Sequence, residues 1–360
     1  MTRILGIEST CDETGVAIVD DGRRIVANKV LSQIPLHERF GGVVPEIASR
    51  AHVECITTVI ESTLAEAGMP LRAETPGAAT PPPVDAIAVA YRPGLVGSLL
   101  VGVTTAKCLA LAWDLPLIGV DHIHAHIYAA TMGGEEDVWD TAERDTAELL
   151  PAVSLVVSGG HTSLYLTKSW TSHELLGSTT DDAVGEAFDK VASILDLGYP
   201  GGPAISRVAE SGNRKAVTFK RSLMAGNSLD FSFSGIKTAV LYYTRGQNAQ
   251  RDAPIRPEIS VPDVAASFEE TVVSMLVDKL ARALRREGGS TAIVGGGVAA
   301  NRRLRTLLDR LAEKQGYRIL YPPPALCTDN AAMIAGLGYW LLEEGEVADL
   351  TLDADPVVAR

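Results

Sequence analysis

The sequence predicts an α/β protein whose two lobes share one design. Patterns typical of strands and of helices alternate along the 360 residues. The chain is long enough for two domains, and its 46% content of apolar residues is ample for a buried core in each. Two segments far apart in the sequence also repeat one arrangement, an apolar strand, a short turn and a second strand.

The first repeated segment spans residues 3–20, and its turn, residues 9–14, carries small and acidic side chains. The second spans residues 152–166, and its turn, residues 158–162, is Ser-Gly-Gly-His-Thr. Each pattern is typical of a β-hairpin whose turn can hold a phosphate or a metal-bound ligand. The repetition implies a duplicated lobe.

A third element combines a strand at 291–294 with a Gly-rich turn and a helix start at 295–301. Backbone amides in such a turn can approach a nucleotide closely. The turn also fits the dinucleotide fingerprint G-x-G-x-x-A, but the next strand, 318–322, lacks the acid expected for the ribose hydroxyls. An oxidoreductase is therefore disfavoured. A P-loop ATPase is excluded because no G-x-x-x-x-G-K-[S/T] segment occurs.

Three of the seven histidines lie within five residues, directly after the apolar run 115–120. On a helix, His122 and His126 are four residues apart and point the same way, so both imidazoles can reach one metal ion, whereas His124 points elsewhere. A zinc peptidase would need Glu in place of Ile123 as its general base. The alternative is a pair of polar, hydrogen-bonded histidines at a strand-to-helix junction.

A catalytic metal site needs a third protein ligand, and Asp329 is the candidate. It follows a break of three prolines at 322–324 and precedes the helix-like run 331–342. The alternative for Asp329 is a solvated helix N-cap.

The formal charge of −13 argues against a general nucleic-acid binder, because nonspecific affinity for phosphates comes from Lys and Arg. Any RNA contact must use a partner or a local basic patch. Either candidate patch can equally be a solvated helix face; the patches are Arg214, Lys215, Lys220 and Arg221, and then Arg302, Arg303 and Arg305.

The start of the chain has no basic leader, no long apolar span is evident, and the four cysteines show no disulfide-like spacing. We therefore expect a cytoplasmic protein without a membrane segment. Segments 70–84, 132–150 and 245–262 are interpreted as surface insertions, and 343–360 as an acidic, loosely held end.

Taken together, the motifs resemble those of the tRNA adenosine threonylcarbamoyltransferases, the TsaD family. The resemblance covers nearly the whole chain, and its conjunction of motifs is highly specific. Departures are small, since Phe40 stands where the family often has Tyr and the insertions lengthen loops. The matching segments are 7–14, 41–52, His122 and His126, 158–162, 181–190, 199–203, 231–237, 295–301 and 327–330.

The resemblance implies an actin-like, sugar-kinase-like fold. Each of its two lobes would be a ribonuclease-H-like mixed sheet with flanking helices, and the site would lie in the cleft between them. The expected boundaries are 1–121 for the N-terminal lobe, completed by a C-terminal helix at about 331–348, then 122–330 for the C-terminal lobe and 349–360 for a tail.

The resemblance also implies an activity. The family transfers a threonylcarbamoyl group from threonylcarbamoyl-AMP to the N6 amine of the adenosine next to the anticodon, in tRNAs that read codons beginning with adenine, and releases AMP. By analogy His122, His126 and Asp329 would hold one iron(II) ion per chain, with zinc possible. The implied partners are tRNA, a paralogous binding subunit of similar fold (TsaB-like) and a small P-loop ATPase (TsaE-like). Alternatives are a carbamoyltransferase with another acceptor, an actin-like ATPase, or a noncatalytic binding subunit.

Further residues are assigned by position in the family motifs. Asp12 and Glu13 are the catalytic candidates, either to handle the amine proton or to orient the carbamoyl group. The alternative is that these two carboxylates only stabilise the turn. His161 and Lys237 are candidates for contacts with phosphate or product, and the alternative for both is a structural hydrogen bond. For Asp189 the alternative is a salt bridge on a helix face. The expected adenylate pocket is Val156, Val157, Ser158, Gly159, Gly160, Asp189, Gly202 and Asn301.

Overall fold

The structure is a computed structural model that describes residues 1–69, 82–133, 146–220, 227–247 and 253–357, with the backbone of two short strands, Ala73–Thr75 and Ala78–Ala79. Parts of all three predicted insertions, and Arg221 of one basic patch, lie outside these residues. The chain divides into two compact units. The first comprises Met1–Arg144, Trp170–Ser172 and Thr328–Arg360, and the second comprises Asp145–Ser169 and His173–Cys327.

The first unit is built on a mixed sheet with strand order β3-β2-β1-β6-β7. The hairpin strands β1, β2 and β3 pair antiparallel, whereas β1, β6 and β7 run parallel. Its strands are β1 (Arg3–Glu8), β2 (Glu13–Asp20), β3 (Arg24–Ser32), β4 (Ala73–Thr75), β5 (Ala78–Ala79), β6 (Ala86–Arg92) and β7 (Leu117–Asp121), and its helices are α1 (Ile34–His37), α2 (Pro45–Glu66), α3 (Val96–Trp113), α4 (His122–Tyr128) and α10 (Ala331–Glu343).

Alternate residues of β1 face opposite sides of this sheet, and both sides are covered. Leu5 and Ile7 join a core cluster with residues of α2 and α3. On the other side, a Cβ at Gly6 would lie 2.5 Å from the carbonyl oxygen of Ala331, so only glycine lets α10 approach β1 this closely. The start of α10, which follows Asp329, is thereby pressed against the central strand.

Helix α3 corrects one expectation from the sequence. Among the described residues it is the one helix long and apolar enough to cross a membrane by length and composition, with a mean hydropathy of 1.5. Leu99, Val103, Ala106 and Ala110 on this helix are buried. Core helices of globular domains pass the same test, but the expectation of no long apolar span was wrong.

The C-terminal segment also differs from the expectation of a loosely held end. Helix α10 ends at Glu343, earlier than the expected 348. The segment after it packs against β6 and β7 of the same unit: the amide of Ala348 donates to the carbonyl oxygen of Leu117, and the amide of Asp355 donates to that of Tyr91. Leu352 adds its side chain to the apolar core, so backbone pairing and apolar burial fix the segment despite its acidic composition.

The second unit has a mixed sheet with strand order β10-β9-β8-β11-β12. Strands β8, β9 and β10 pair antiparallel, and β8, β11 and β12 run parallel. Its strands are β8 (Ala152–Val157), β9 (Thr162–Thr167), β10 (His173–Ser178), β11 (Thr291–Gly295) and β12 (Arg318–Leu320), and its helices are α5 (Val184–Ile194), α6 (Gly201–Ala209), α7 (Ser234–Arg245), α8 (Val261–Glu287) and α9 (Arg302–Gln315).

The two sheets therefore repeat one topology, an antiparallel hairpin and third strand followed by two parallel strands. This confirms the predicted fold class and the duplication inferred from the two hairpins. In this division α4 lies in the first unit, whereas the sequence-based boundary at residue 121 placed it in the second lobe.

Candidate metal centre and nucleotide-binding residues

Helix α4 begins at His122 because Asp121 caps it. The Asp121 Oδ1 atom accepts hydrogen bonds from the amides of Ile123 at 2.9 Å and His124 at 3.2 Å. Its Oδ2 atom accepts from Nε of Arg92 at 3.0 Å. This cap fixes where the helix starts, and so places His122 and His126 one turn apart on one face, as the sequence predicts.

The structure brings His122, His126 and Asp329 together within the first unit. One ligand atom from each lies within 4.8 Å of the others. The Nε2 atoms of His126 and His122 lie 3.1 Å and 3.6 Å from Oδ1 of Asp329. The N-cap of α10 is Asn330, whose side chain accepts from the amide of Met333, so the helix start is capped without Asp329.

These residues fit a divalent metal ion. Bonds of about 2.0–2.2 Å to a shared ion put neighbouring ligand atoms roughly 3.0–3.6 Å apart. The two distances from the histidine nitrogens to Oδ1 of Asp329, 3.1 Å and 3.6 Å, lie in this range. Both imidazoles are buried, and within the described chain Nδ1 of His126 has no hydrogen-bond partner. Two imidazole nitrogens and one carboxylate oxygen suit iron(II) and zinc alike. The group is a candidate metal-binding site, and His124 is not part of it.

The two histidines differ in their protonation. Burial lowers the pKa of His122, but the carboxylates of Glu8 and Asp329 outweigh it and raise this pKa to about 9. For His126, burial prevails over the hydrogen bond with Asp329, and its pKa lies below the ordinary value. The cluster therefore accumulates negative charge around His122, which favours a bound cation.

Asp12 and Glu13 lie in the turn between β1 and β2 and at the start of β2. Asp12 is 8% exposed. The pKa of Glu13 is raised to about 10, first by burial and then by the nearby carboxylates of Asp329 and Asp12. Burial and the neighbouring carboxylates therefore favour the protonated form of Glu13.

Sequence reasoning assigned no role to His52 in α2, which holds this turn. Its Nε2 atom lies 3.0 Å from the carbonyl oxygen of Cys11, and its Nδ1 atom lies 2.7 Å from the hydroxyl of Thr14. Both contacts are satisfied when Nε2 carries the proton and Thr14 donates to Nδ1. Burial lowers the pKa of His52, consistent with a neutral ring. A buried histidine within a matched family motif was the available signal.

In the second unit, the loop after β8 leaves room beside its backbone. A Cβ at Gly159 or Gly160 would meet no atom within 4 Å. The amides of Gly185 and Glu186 donate to the carbonyl oxygens of Ser158 and Gly159, so the start of α5 holds the loop. Val156 and Val157 are fully buried at the end of β8, where they pair with the neighbouring strands.

The other predicted adenylate residues take part in contacts of their own. The Oδ1 atom of Asp189 accepts from the amide of Gly201 at 2.7 Å, which links α5 to the start of α6. A Cβ at the next residue, Gly202, would meet open space. The side-chain nitrogen Nδ2 of Asn301 donates to the hydroxyl of Ser206 and to Oε1 of Glu269, each at 2.9 Å. The side-chain oxygen of Asn301 caps α9 by accepting from the amide of Leu304.

Lys237 and most of the second basic patch are engaged in structural contacts within the second unit. Lys237 forms a salt bridge with Asp182 at 2.7 Å. In the second basic patch, Arg303 pairs with Glu270, and Arg305 donates to the carbonyl oxygens of Ala299 and Pro322. The patch formed by Arg302, Arg303 and Arg305 is therefore largely used within the unit, and Arg302 is its exposed member.

Comparison with known proteins identifies the family. Residues 24–336 match the family model TsaD, described as tRNA N6-adenosine threonylcarbamoyltransferase. The protein of that name from Anaeromyxobacter dehalogenans is 46% identical over 357 residues, with 99% of each chain covered. That from Bacillus cereus is 48% identical over 356 residues, with 99% of this chain and 96% of the relative covered.

Among solved structures, full-length HypF in its phosphate- and nucleotide-bound form has a TM-score of 0.56 at 14% identity, with 96% of this chain and 47% of HypF covered. At this identity the likeness bears on the fold alone, and it agrees with the actin-like class. The family model and the relatives, together with the two repeated sheets and the His-His-Asp cluster, lead to one conclusion: the chain belongs to the TsaD family of tRNA N6-adenosine threonylcarbamoyltransferases.

Proposed function

We propose that this protein transfers the threonylcarbamoyl group of threonylcarbamoyl-AMP to the N6 amine of the adenosine next to the anticodon, in tRNAs that read codons beginning with adenine. AMP leaves. Family membership supports the reaction, and the observation that carries the site assignment is the convergence of His122, His126 and Asp329.

The reaction sets a specific task for the site. A weakly nucleophilic aromatic amine attacks the carbonyl carbon of a mixed anhydride whose leaving group is already good. The protein must hold the amine in position, remove its proton and stabilise the charge that builds on carbonyl and phosphate oxygens.

His122, His126 and Asp329 would hold one divalent ion per chain, iron(II) or zinc. When bound, such an ion supplies a Lewis acid that stabilises negative charge on an oxygen without proton exchange. The burial of both imidazoles and the spacing of the three ligand atoms support this assignment.

Asp12 is the better candidate to accept the amine proton, because burial and the neighbouring carboxylates favour the protonated form of Glu13. The pKa of Glu13, about 10, makes it a hydrogen-bond donor at neutral pH. We assign Asp12 as the base and Glu13 to orienting the carbamoyl oxygen.

The second unit would bind the adenylate. The open space beside Gly159 and Gly160 supports a role for the amides of residues 158–160 in holding phosphate. Val156 and Val157 would contribute by holding the start of this loop at the end of β8, and Asp189 and Gly202 would contribute through the junction of α5 and α6. Asn301 would accept a hydrogen bond from the adenylate at the start of α9. Its side-chain oxygen already accepts from the amide of Leu304 and retains a second lone pair for this contact.

We infer that tRNA binding needs partners. A formal charge of −13 opposes nonspecific binding of a polyanion. The family resemblance supplies the expected partners, a paralogous TsaB-like subunit of similar fold and a small TsaE-like P-loop ATPase. A cytoplasmic location without membrane attachment belongs to the same proposal.

Nucleoside mass spectrometry of tRNA tests the function. Cells depleted of this protein should lose threonylcarbamoyladenosine, and the wild type but not His126→Ala should restore it. The matched control is His124→Ala, which removes a histidine of the same helix from outside the cluster. Unchanged modification on depletion would refute the proposal and leave a different acceptor, an ATPase or a binding subunit as the explanation.

A further inference from the structure

A buried carboxylate, that of Glu8, lies directly behind the candidate metal ligand His122. Glu8 is the last residue of β1 and is fully buried. A charged group in such a place is costly unless it is paired and hydrogen-bonded. Its Oε2 atom lies 2.8 Å from Nδ1 of His122, and its Oε1 atom accepts from the amide of Thr10 at 2.6 Å.

This contact determines which ring nitrogen of His122 is available to a metal ion. Because Nδ1 faces the carboxylate of Glu8, Nδ1 keeps its proton and donates it, and Nε2 is the nitrogen that would lose its proton and offer a lone pair to a metal ion. Nε2 is the atom that faces Asp329, at 3.6 Å. The hydroxyl of Thr10 also lies 3.3 Å from Nδ1.

The second histidine lacks such support. In the described part of the chain, Nδ1 of His126 is buried without a hydrogen-bond partner. Of the two histidine ligands, only His122 has its Nδ1 atom held by a carboxylate in the described residues.

We propose that Glu8 is a positioning residue of the metal centre, which orients the ring of His122, fixes the proton on Nδ1 and so strengthens Nε2 as a ligand. The inference rests on the proposed metal site and extends it to a residue that itself touches neither ion nor substrate. Carboxylates that hold a ligating histidine in this way typically contribute about 10- to 100-fold to metal affinity.

Titration of the metal-free protein with Co²⁺, followed by the visible absorption of the bound ion, tests the proposal. Glu8→Gln keeps the shape but not the charge. Because Thr10 and His122 face different oxygens of Glu8, the NH₂ group of the glutamine would face one of these two donors and could not accept from it. We expect Co²⁺ affinity to fall about 10- to 100-fold and the absorption bands to shift. The control Glu174→Gln removes the charge of an exposed carboxylate that pairs with Lys168 in the second unit, and should leave affinity close to wild type.

A double-mutant cycle separates positioning from general damage to the fold. In a His122→Ala background, in which His126 and Asp329 leave only weak Co²⁺ binding, Glu8→Gln should cause no further loss of that residual affinity, because Glu8 acts through the His122 ring. Equal Co²⁺ binding by wild type and Glu8→Gln, or an equal loss in both backgrounds, would overturn the proposal. Wild type that binds no Co²⁺ would instead overturn the metal site itself.

A measurement on the unmutated protein covers the case in which Glu8→Gln does not fold. In the zinc-loaded wild type, ¹⁵N NMR of the histidine rings should show the His122 proton on Nδ1. A proton on Nε2 of His122, with Nδ1 free, would contradict the assignment of Glu8.

Discussion

Nε2 of His126 lies 3.1 Å from Oδ1 of Asp329, although 203 positions separate the two residues in the chain. Helix α4 supplies the histidine, and the residues just before α10 supply the carboxylate. The helices themselves pack together in the first unit. The metal centre therefore depends on how two helices dock on one sheet.

His126→Ala should abolish tight metal binding and tRNA modification while the protein stays folded. The change removes one of three ligands and leaves the capped start of α4 intact. Elemental analysis of the purified protein measures its metal content, and the circular dichroism spectrum shows whether the variant stays folded. His124→Ala serves as the control, and full metal content in His126→Ala would remove this residue from the site.

Asp12→Asn should keep adenylate binding but slow group transfer by about 10²–10⁴-fold, the usual contribution of a positioned general base. The amide retains the size of the side chain and loses its capacity to take a proton. Single-turnover transfer to tRNA and equilibrium binding of a nonhydrolysable adenylate analogue separate the two effects. Unchanged turnover would exclude Asp12 from proton transfer.

Two glycine substitutions in and beside the loop after β8 should separate an effect on protein stability from an effect on adenylate affinity. Gly160→Ala adds a methyl group to open space, so it should leave stability nearly unchanged and weaken adenylate binding roughly 10-fold or more. Gly185→Ala would place a Cβ 2.7 Å from the carbonyl oxygen of Ser158 and should destabilise the protein by about 1–3 kcal/mol. Thermal unfolding and adenylate titration of both variants test this contrast; equal adenylate affinity in Gly160→Ala and wild type would contradict the phosphate assignment.

The buried carboxylate of Asp20 should contribute stability that depends on pH. Its hydrogen bond with Arg3, at 2.6 Å, and its pairing with Arg24 hold the pKa of Asp20 below the ordinary value of 3.8. A lowered folded-state pKa means that the unfolded chain binds protons first, so this stability is present above about pH 4 and is lost as the pH falls through the lowered pKa.

Arg3→Ala should therefore cost about 1–3 kcal/mol at pH 7, because it leaves a buried carboxylate short of a donor. The difference from wild type should shrink below pH 4. Chemical denaturation at a series of pH values measures it, with Glu174→Gln, in an exposed pair with Lys168, as a control of small effect. A difference that stays constant down to pH 2 would contradict the role of Asp20.

The sequence by itself determined the elements whose signals are local. The two hairpins, the helix that carries His122 and His126, and the helix after Asp329 each follow from patterns within a few residues, and the chain folds them as predicted. The order of motifs along the chain also pointed to the family. Local propensity and hydrophobic periodicity decide such features before any distant contact forms.

Only the tertiary structure decided which distant side chains meet and which are already occupied. The contact of Glu8 with His122 and the support that His52 gives to the turn between β1 and β2 depend on strand order and helix docking, which no local pattern encodes. The burial of Val156 and Val157 and the engagement of Asn301 by Ser206 and Glu269 have the same origin. Close packing fixes these neighbours, because a buried polar group must find its partner wherever the fold brings one.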